Sequence, residues 1–229
     1  SLLSKLFPPP SFLTMPHAGL DISDNAIHCI EYRRGSHGLL VSKYASQALK
    51  PGLIVGGEIR DENRFSEILK EFVTKNDLSR VKVSLPEEKA YLFQTDVPST
   101  DFRSIAQNIE SKLDQNVPLS AADAIFQFDL MPQTVTGDVL RASVSVVPRL
   151  YVEHYIEILR SAGLRTVAFE VAPKSIVAAC MPRDSKDTHL IVHAVKDKVG
   201  LYIVSGGVVC FTSTINIELG DKDSGEQTD

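Results

Sequence analysis

The sequence predicts a mixed α/β fold: a first β-meander with a helix and a strand, an inserted small β-α-β-β-α block, and a second β-meander near the end of the chain. Three observations carry that prediction. Apolar residues alternate along residues 19–32 and again along 199–213, the period of a strand with one buried face. The period lengthens to three- and four-residue steps around Phe65, Ile105 and Tyr155, as in a helix. Proline and glycine separate the segments, at Pro51 to Gly57, Pro86, Pro98, Pro118, Gly163 and the Gly206-Gly207 pair.

Gly19, Leu20, Asp21 and Ile22 form the first strand. Ser23, Asp24 and Asn25 are turn formers, and Ile27, Cys29 and Tyr32 return an alternating strand, so residues 19–32 form a β-hairpin with a carboxylate, Asp21, at the end of its first strand. Such a tip can present successive N–H groups to an anion, or can be turn chemistry alone. Gly35 and Gly38 lead into a third extended run, 39–49, and a loop through Pro51 and Gly57 ends at Ile59. A helix over 61–75 follows, with Phe65, Ile68, Leu69 and Phe72 on one face, Asp61 as its cap and Asn76-Asp77 at its end. A strand over 81–85 completes β-β-β-α-β.

After Pro86 and the Glu87-Glu88-Lys89 run, Tyr91, Phe93, Thr95 and Val97 alternate as a strand that Pro98 stops. Ser99, Thr100 or Asp101 then caps a helix carrying Phe102, Ile105, Ile109 and Leu113. Strands over 124–130, with Phe126 and Phe128 as sheet core, and 141–147 flank a polar connection at 133–139. A helix over 149–162 closes on Gly163. Next come a strand over 166–171, a short helix over 172–180 with Pro173 in its first turn, a buried strand over 188–195 holding His189 and His193, and strands over 199–204 and 208–213. The expected organisation is an arm, 1–17; a first subdomain, 18–86; an insert, 87–163; a continuation, 164–220; and a polar tail, 221–229.

Of the 229 residues, 23% are charged and 43% hydrophobic, which excludes disorder, and a net charge of −5 with no basic cluster excludes a nucleic-acid footprint. Cys29, Cys180 and Cys210 are widely spaced in or beside apolar runs, so neither a disulfide framework nor a zinc spacing is present; buried thiols in a reducing cytoplasm are expected. No apolar run approaches the roughly 18 residues of a membrane span. Three prolines break the opening SLLSKLFPPPSFL, which is expected to be an extended arm rather than a signal peptide. No Ser, His and Asp spacing supports a hydrolase triad.

In order and spacing these segments resemble the PilM family of cytoplasmic type IV pilus assembly proteins, related to FtsA and the actin-like ATPases. GLDISDNAIHCIEY resembles the family's first phosphate motif. VSLPEEKAYLFQTDVP, FRSIAQNIESKLDQNVPLSAADAIFQFDL and VEHYIEILRSAGLRTVAFEV resemble the strand, helix and Gly-Leu helix end of its inserted subdomain. The resemblance runs from Ala18 to Gly220. It implies an actin-like ATPase (RNase H-like) subdomain with an insert, and an incomplete second lobe, the chain being either a fragment or a short form. It also implies a scaffold in pilus assembly or a related secretion machinery. The implied partners are the N-terminal tail of a PilN-like membrane protein, received in a groove of the insert against the first domain, and other inner-membrane platform proteins of the pilus. The implied location is cytoplasmic, peripheral to the inner membrane through a partner. An ATPase with real turnover and an FtsA-like membrane tether are the alternatives.

By the same resemblance ATP and Mg2+ are the implied ligands. Asp21 stands in place of the acidic residue near metal and phosphates; a turn-capping carboxylate is the other reading. Ser23, Asp24 and Asn25 take the place of the phosphate-cradling tip, with Ser23 where the family carries glycine, and His28 stands where it carries lysine. The second phosphate motif, Asp, hydrophobe, Gly and later Thr, corresponds to His193, Ala194, Val195 and Val199. Without that carboxylate a ligand for a metal-bound water is lost, so the resemblance implies nucleotide holding rather than hydrolysis, and His193 also fits a core histidine.

Overall fold

The computed structural model describes residues 16–35, 38–98, 100–132, 139–182, 185–196 and 198–216. In chain order the elements are β1 (Ala18–Ile22), β2 (Ala26–Gly35), β3 (Gly38–Ala48), β4 (Ile54–Val55), β5 (Glu58–Ile59), α1 (Glu62–Lys75), β6 (Arg80–Leu85), β7 (Tyr91–Pro98), α2 (Phe102–Glu110), α3 (Leu113–Asn116), β8 (Ala124–Leu130), β9 (Val139–Pro148), α4 (Arg149–Ser161), β10 (Arg165–Val171), α5 (Ala172–Cys180), β11 (Thr188–Val195), β12 (Lys198–Ser205) and β13 (Val208–Asn216). Single 3-10 turns stand at Glu87–Lys89 and Ala121–Asp123. Residues 1–15 of the expected arm, the polar connection at 133–138 and the polar tail lie outside the described residues.

Two compact units divide the chain. The first takes the described residues up to Lys89 together with Arg149–Ala172, and the second takes Ala90–Pro148 with the residues from Pro173 onward. The helix expected at the end of the insert, α4, therefore packs in the first unit, where it touches α1 and β10.

The first unit is built on a five-stranded sheet of order β10-β6-β1-β2-β3. β10, β6 and β1 run parallel; β1, β2 and β3 form the antiparallel meander. Alternation sets its two faces. Ala18, Leu20 and Ile22 of β1, Ile27 and Cys29 of β2, and Val81, Val83 and Leu85 of β6 are buried. The apolar stripes of the helices supply further core: Phe65, Leu69 and Phe72 from α1, and Val152, Tyr155 and Leu159 from α4. Side chains no more than 1% exposed, such as Leu20, Ile27 and Phe65, each contribute about 1.5–3 kcal/mol by leaving water. Asp61 caps α1 by accepting from the Arg64 N–H at 3.0 Å, and Gly163, at φ 86°, ends α4.

One small element was not evident as secondary structure. Within the expected loop, β4 and β5 form a hairpin whose turn residues, Gly56 and Gly57, have φ of 56° and 75°, the primed geometry that suits a two-residue turn. Both turn N–H groups donate to the Asp24 carboxylate, at 2.9 and 3.0 Å, and the Gly57 carbonyl accepts from the phenols of Tyr151 and Tyr155, each at 3.0 Å. A Cβ on Gly57 would stand 2.7 Å from Pro86 Cβ and 2.9 Å from the Tyr151 hydroxyl, so only glycine fits. The β1–β2 tip, the β4–β5 turn and α4 are thereby tied to one residue, Gly57.

The second unit holds two three-stranded antiparallel sheets, β7-β9-β8 and β11-β12-β13. Ile105, Ile109 and Leu113 pack with Val97, Val144 and Val146 on the first, and Val177, Tyr202, Val204 and Val209 form the core of the second. The buried Ser143 hydroxyl donates to the Val209 carbonyl at 2.6 Å and links them. Several expectations change here. The helix capped by Asp101 stops at Glu110, and Leu113 belongs to the separate turn α3; at the break the Lys112 ammonium donates to the Asp96 carbonyl at 2.6 Å. Phe102, which shares the helical spacing of Ile105 and Ile109, is 72% exposed in the first helical turn and stacks on Phe128. β11, expected to be buried, lies at the side of its sheet and exposes Leu190, Val192 and Val195. Cys180 is exposed, whereas Cys29 is buried and its thiol is pushed up by burial.

Burial pushes the Tyr155 phenol up to about 12 and the Tyr151 phenol higher still, with each other's hydroxyl and the Asp24 charge nearby. An unfolded tyrosine ionises near 10. Above that pH the unfolded chain sheds protons that the folded chain keeps, so stability is fully present below about pH 10 and falls as pH rises toward 12, by about 1.4 kcal/mol per pH unit for each such tyrosine. Urea midpoints measured from pH 8 to 12 are expected to stay level and then fall, with a shallower fall in Tyr155→Phe. Equal alkaline slopes in the two proteins would show that the Tyr155 phenol is not held this way.

Candidate functional site

The face of the first sheet opposite the buried one carries polar residues in register. Asp21 of β1 stands opposite His28 of β2 on one side and Ser84 of β6 on the other. Ser84 in turn faces Glu170 of β10, and His28 faces Ser46 of β3. Residues directly opposite one another share a face, so Glu170, Ser84, Asp21, His28 and Ser46 make one polar row across all five strands. Neighbouring members are about 5 Å apart, the spacing of strands. Asp21, Ser84 and Glu170 are each the penultimate residue of a parallel strand. Ligands of open α/β sheets bind at the carboxyl ends of such strands.

The tip beside this row is closed by its own hydrogen bonds. The Ser23 N–H donates to the Ala26 carbonyl at 3.0 Å, the Ser23 hydroxyl donates to the same carbonyl at 3.1 Å, and the Ala26 N–H donates to that hydroxyl at 3.3 Å. The Asn25 carbonyl accepts from the Leu49 N–H at 2.8 Å, which ties the tip to the end of the meander. Asp24 holds the Gly56-Gly57 turn, so its carboxylate has a structural task.

Of the residues singled out in the sequence, Asp21 and His28 therefore meet across a strand pair, and Ser23, Asp24 and Asn25 build the adjoining tip. His193 lies in the second unit, half-buried on β11 opposite Gly200, with its ring 6.4 Å from that of Tyr202. Ser84 and Glu170 were missed. Their signal is that each, like Asp21, is a polar residue followed by one last apolar residue before the strand ends. Among the described residues no three His, Cys, Asp or Glu side chains cluster as metal ligands. A Mg2+ ion is ordinarily held by one or two carboxylates, waters and phosphate oxygens. Asp21 is a carboxylate of that kind, with the Ser84 hydroxyl on the next strand; Glu170 lies two strands away, about 10 Å, and its Oε1 accepts from the Val171 N–H at 3.3 Å.

The model of the type IV pilus assembly protein PilM family matches residues 19–214. Among solved structures, the fold is similar to that of the PilM–PilN type IV pilus biogenesis complex, with a TM-score of 0.76 and 18% identity over 88% of this chain. This chain spans 62% of that one. It is also similar to the cytoplasmic domain of EpsL, an inner-membrane component of the type II secretion system of Vibrio cholerae, with a TM-score of 0.57 and 14% identity over 87% of this chain and 71% of that one. No curated protein sequence matches the chain. A family match from β1 to β13, on a mixed α/β architecture shared with a solved PilM, identifies this chain as belonging to the PilM family of type IV pilus assembly proteins.

Proposed function

We propose that this chain is a cytoplasmic scaffold of type IV pilus assembly or a related secretion machinery. In this reading it is held at the inner membrane by the N-terminal tail of a PilN-like membrane protein and joins other platform proteins there. The observation that carries the reading is the family match over residues 19–214, supported by the fold shared with a PilM solved in complex with PilN. No helix among the described residues is long and apolar enough to cross a membrane.

ATP with Mg2+ is the nucleotide ligand in this reading, in a holding role. Mg2+ would neutralise phosphate charge when bound. Asp21 would hold the metal through a bound water, with the Ser84 hydroxyl and His28 on the neighbouring strands as further polar groups, and the Ser23-Asp24-Asn25 tip would stand beside the phosphates. The polar row at the strand ends supports this assignment. By the resemblance His193, with Ala194 and Val195, stands for the second phosphate motif; a histidine there offers no carboxylate oxygens to Mg2+, so turnover is not assigned.

Two experiments test the two halves. Calorimetric titration with a synthetic PilN-like N-terminal peptide is expected to give saturable, micromolar binding, about −8 kcal/mol; a flat titration contradicts the scaffold reading. For the nucleotide, saturating MgATP at about one hundred times Kd stabilises by about 2.7 kcal/mol. A rise of several degrees in Tm is expected, absent in Asp21→Ala. An unchanged wild-type Tm removes the nucleotide half and leaves the scaffold half standing.

A further inference from the structure

Among the described residues, strand β10 is the last strand on its side of the five-stranded sheet, so one edge of its backbone faces away from β6. Beside that edge lies a groove of ≈ 440 Å³ between β10 and the flank of α4. Its apolar lining comes from Ile156 and Leu164 on one side and Val167, Ala168 and Phe169 on the other. Ile156 and Val167 are 39% and 43% exposed, which leaves the apolar lining open to a visitor.

Positive charge gathers at one end. Arg160 and Arg165 line the groove, both are exposed, and neither has a carboxylate partner among the described residues. Glu157, one turn before Arg160 on α4, pairs with neither. Arg80 stands in register beside Arg165, and its Nε donates to the Pro16 carbonyl at 3.2 Å. An open strand edge offers main-chain donors and acceptors to an incoming chain, and an adjoining apolar groove takes its alternate side chains. Guanidinium groups bind carboxylates in paired, charge-assisted hydrogen bonds.

We propose that the β10 edge and the α4 flank accept an extended segment of a partner protein as a sixth, antiparallel strand. Its apolar side chains enter the groove, and acidic residues at its C-terminal end meet Arg160 and Arg165. Antiparallel pairing is the more stable of the two arrangements. Because β10 begins at Arg165, that direction brings the end of the incoming strand to the arginines. The bulge at Val167, between Thr166 and Ala168, interrupts the regular ladder and keeps the added strand short. The occupant is thus a short apolar stretch followed by Asp or Glu. The site belongs to the first unit alone and does not depend on the partner tail or nucleotide proposed above.

Selection of a displayed random nonapeptide library on the whole chain tests this. The expected peptides alternate apolar residues and end in at least two acidic ones. Their affinity, read by fluorescence anisotropy, is expected to fall at least tenfold on R160E/R165E and to return when Lys replaces the acidic residues. Hydrogen exchange should slow at β10 amides on binding. Circular dichroism and Tm of R160E/R165E should match the parent, since both side chains are exposed; Arg160→Gln with Arg165→Gln gives a milder variant if they do not. No selected peptide, peptides without acidic bias, affinity indifferent to these arginines, unslowed β10 exchange, or sedimentation showing the edge paired with a second copy would overturn the proposal.

Discussion

The Asp24 carboxylate holds the Gly56-Gly57 turn by two main-chain N–H bonds, while two phenols from α4 hold the same turn by the Gly57 carbonyl. The strength of this junction comes from charge and burial together. A hydrogen bond to an ionised partner contributes about 1.5–3 kcal/mol, and a buried donor left without its acceptor costs about as much. Tyr155 is buried and Tyr151 partly so, so the Tyr155 phenol has no water to fall back on. Three segments distant along the chain, the β1–β2 tip, the β4–β5 turn and α4, meet at one residue, Gly57, where only glycine fits.

From that junction the rest of the first unit takes its geometry. A fixed tip fixes where β1 ends, and the pairing of β1 with β2 and β6 then sets Asp21 beside His28 and Ser84. Parallel pairing of β6 with β10 adds Glu170 to the same row. Alternation sends Leu20, Val83 and Phe169 to the other face, where Leu20 and Val83 are buried, so core and polar row arise from one pattern. The first unit thus provides a sheet with polar groups at its parallel ends and, among the described residues, an open strand edge at β10 beside α4.

Much of this was legible in the sequence because it is local. Alternation located the strands of both meanders, and three- and four-residue spacing located α1 and α4, because each needs only neighbouring residues. The two roles of the tip were not legible. Asp24 was read with Ser23 and Asn25 as a single anion-cradling group, yet its partners are 32 and 33 residues away, and Tyr155 reaches Gly57 across 98 residues. Ser84 and Glu170 look like ordinary strand polars until parallel pairing aligns them with Asp21. Exposure misled in the other direction: an apolar run such as 188–195 reads the same whether its strand is central or at the side of a sheet, and Phe102 keeps helical spacing although the first turn of α2 leaves it in solvent.

The most direct measurement is a double-mutant cycle in urea at pH 7 with Asp24→Ala and Tyr155→Phe. Because the two side chains bind opposite ends of one turn, the cycle should show a coupling of about 0.5–3 kcal/mol, the range for residues sharing a network. Losses that simply add would contradict the account, since Asp24 and Tyr155 would then act on separate parts of the fold.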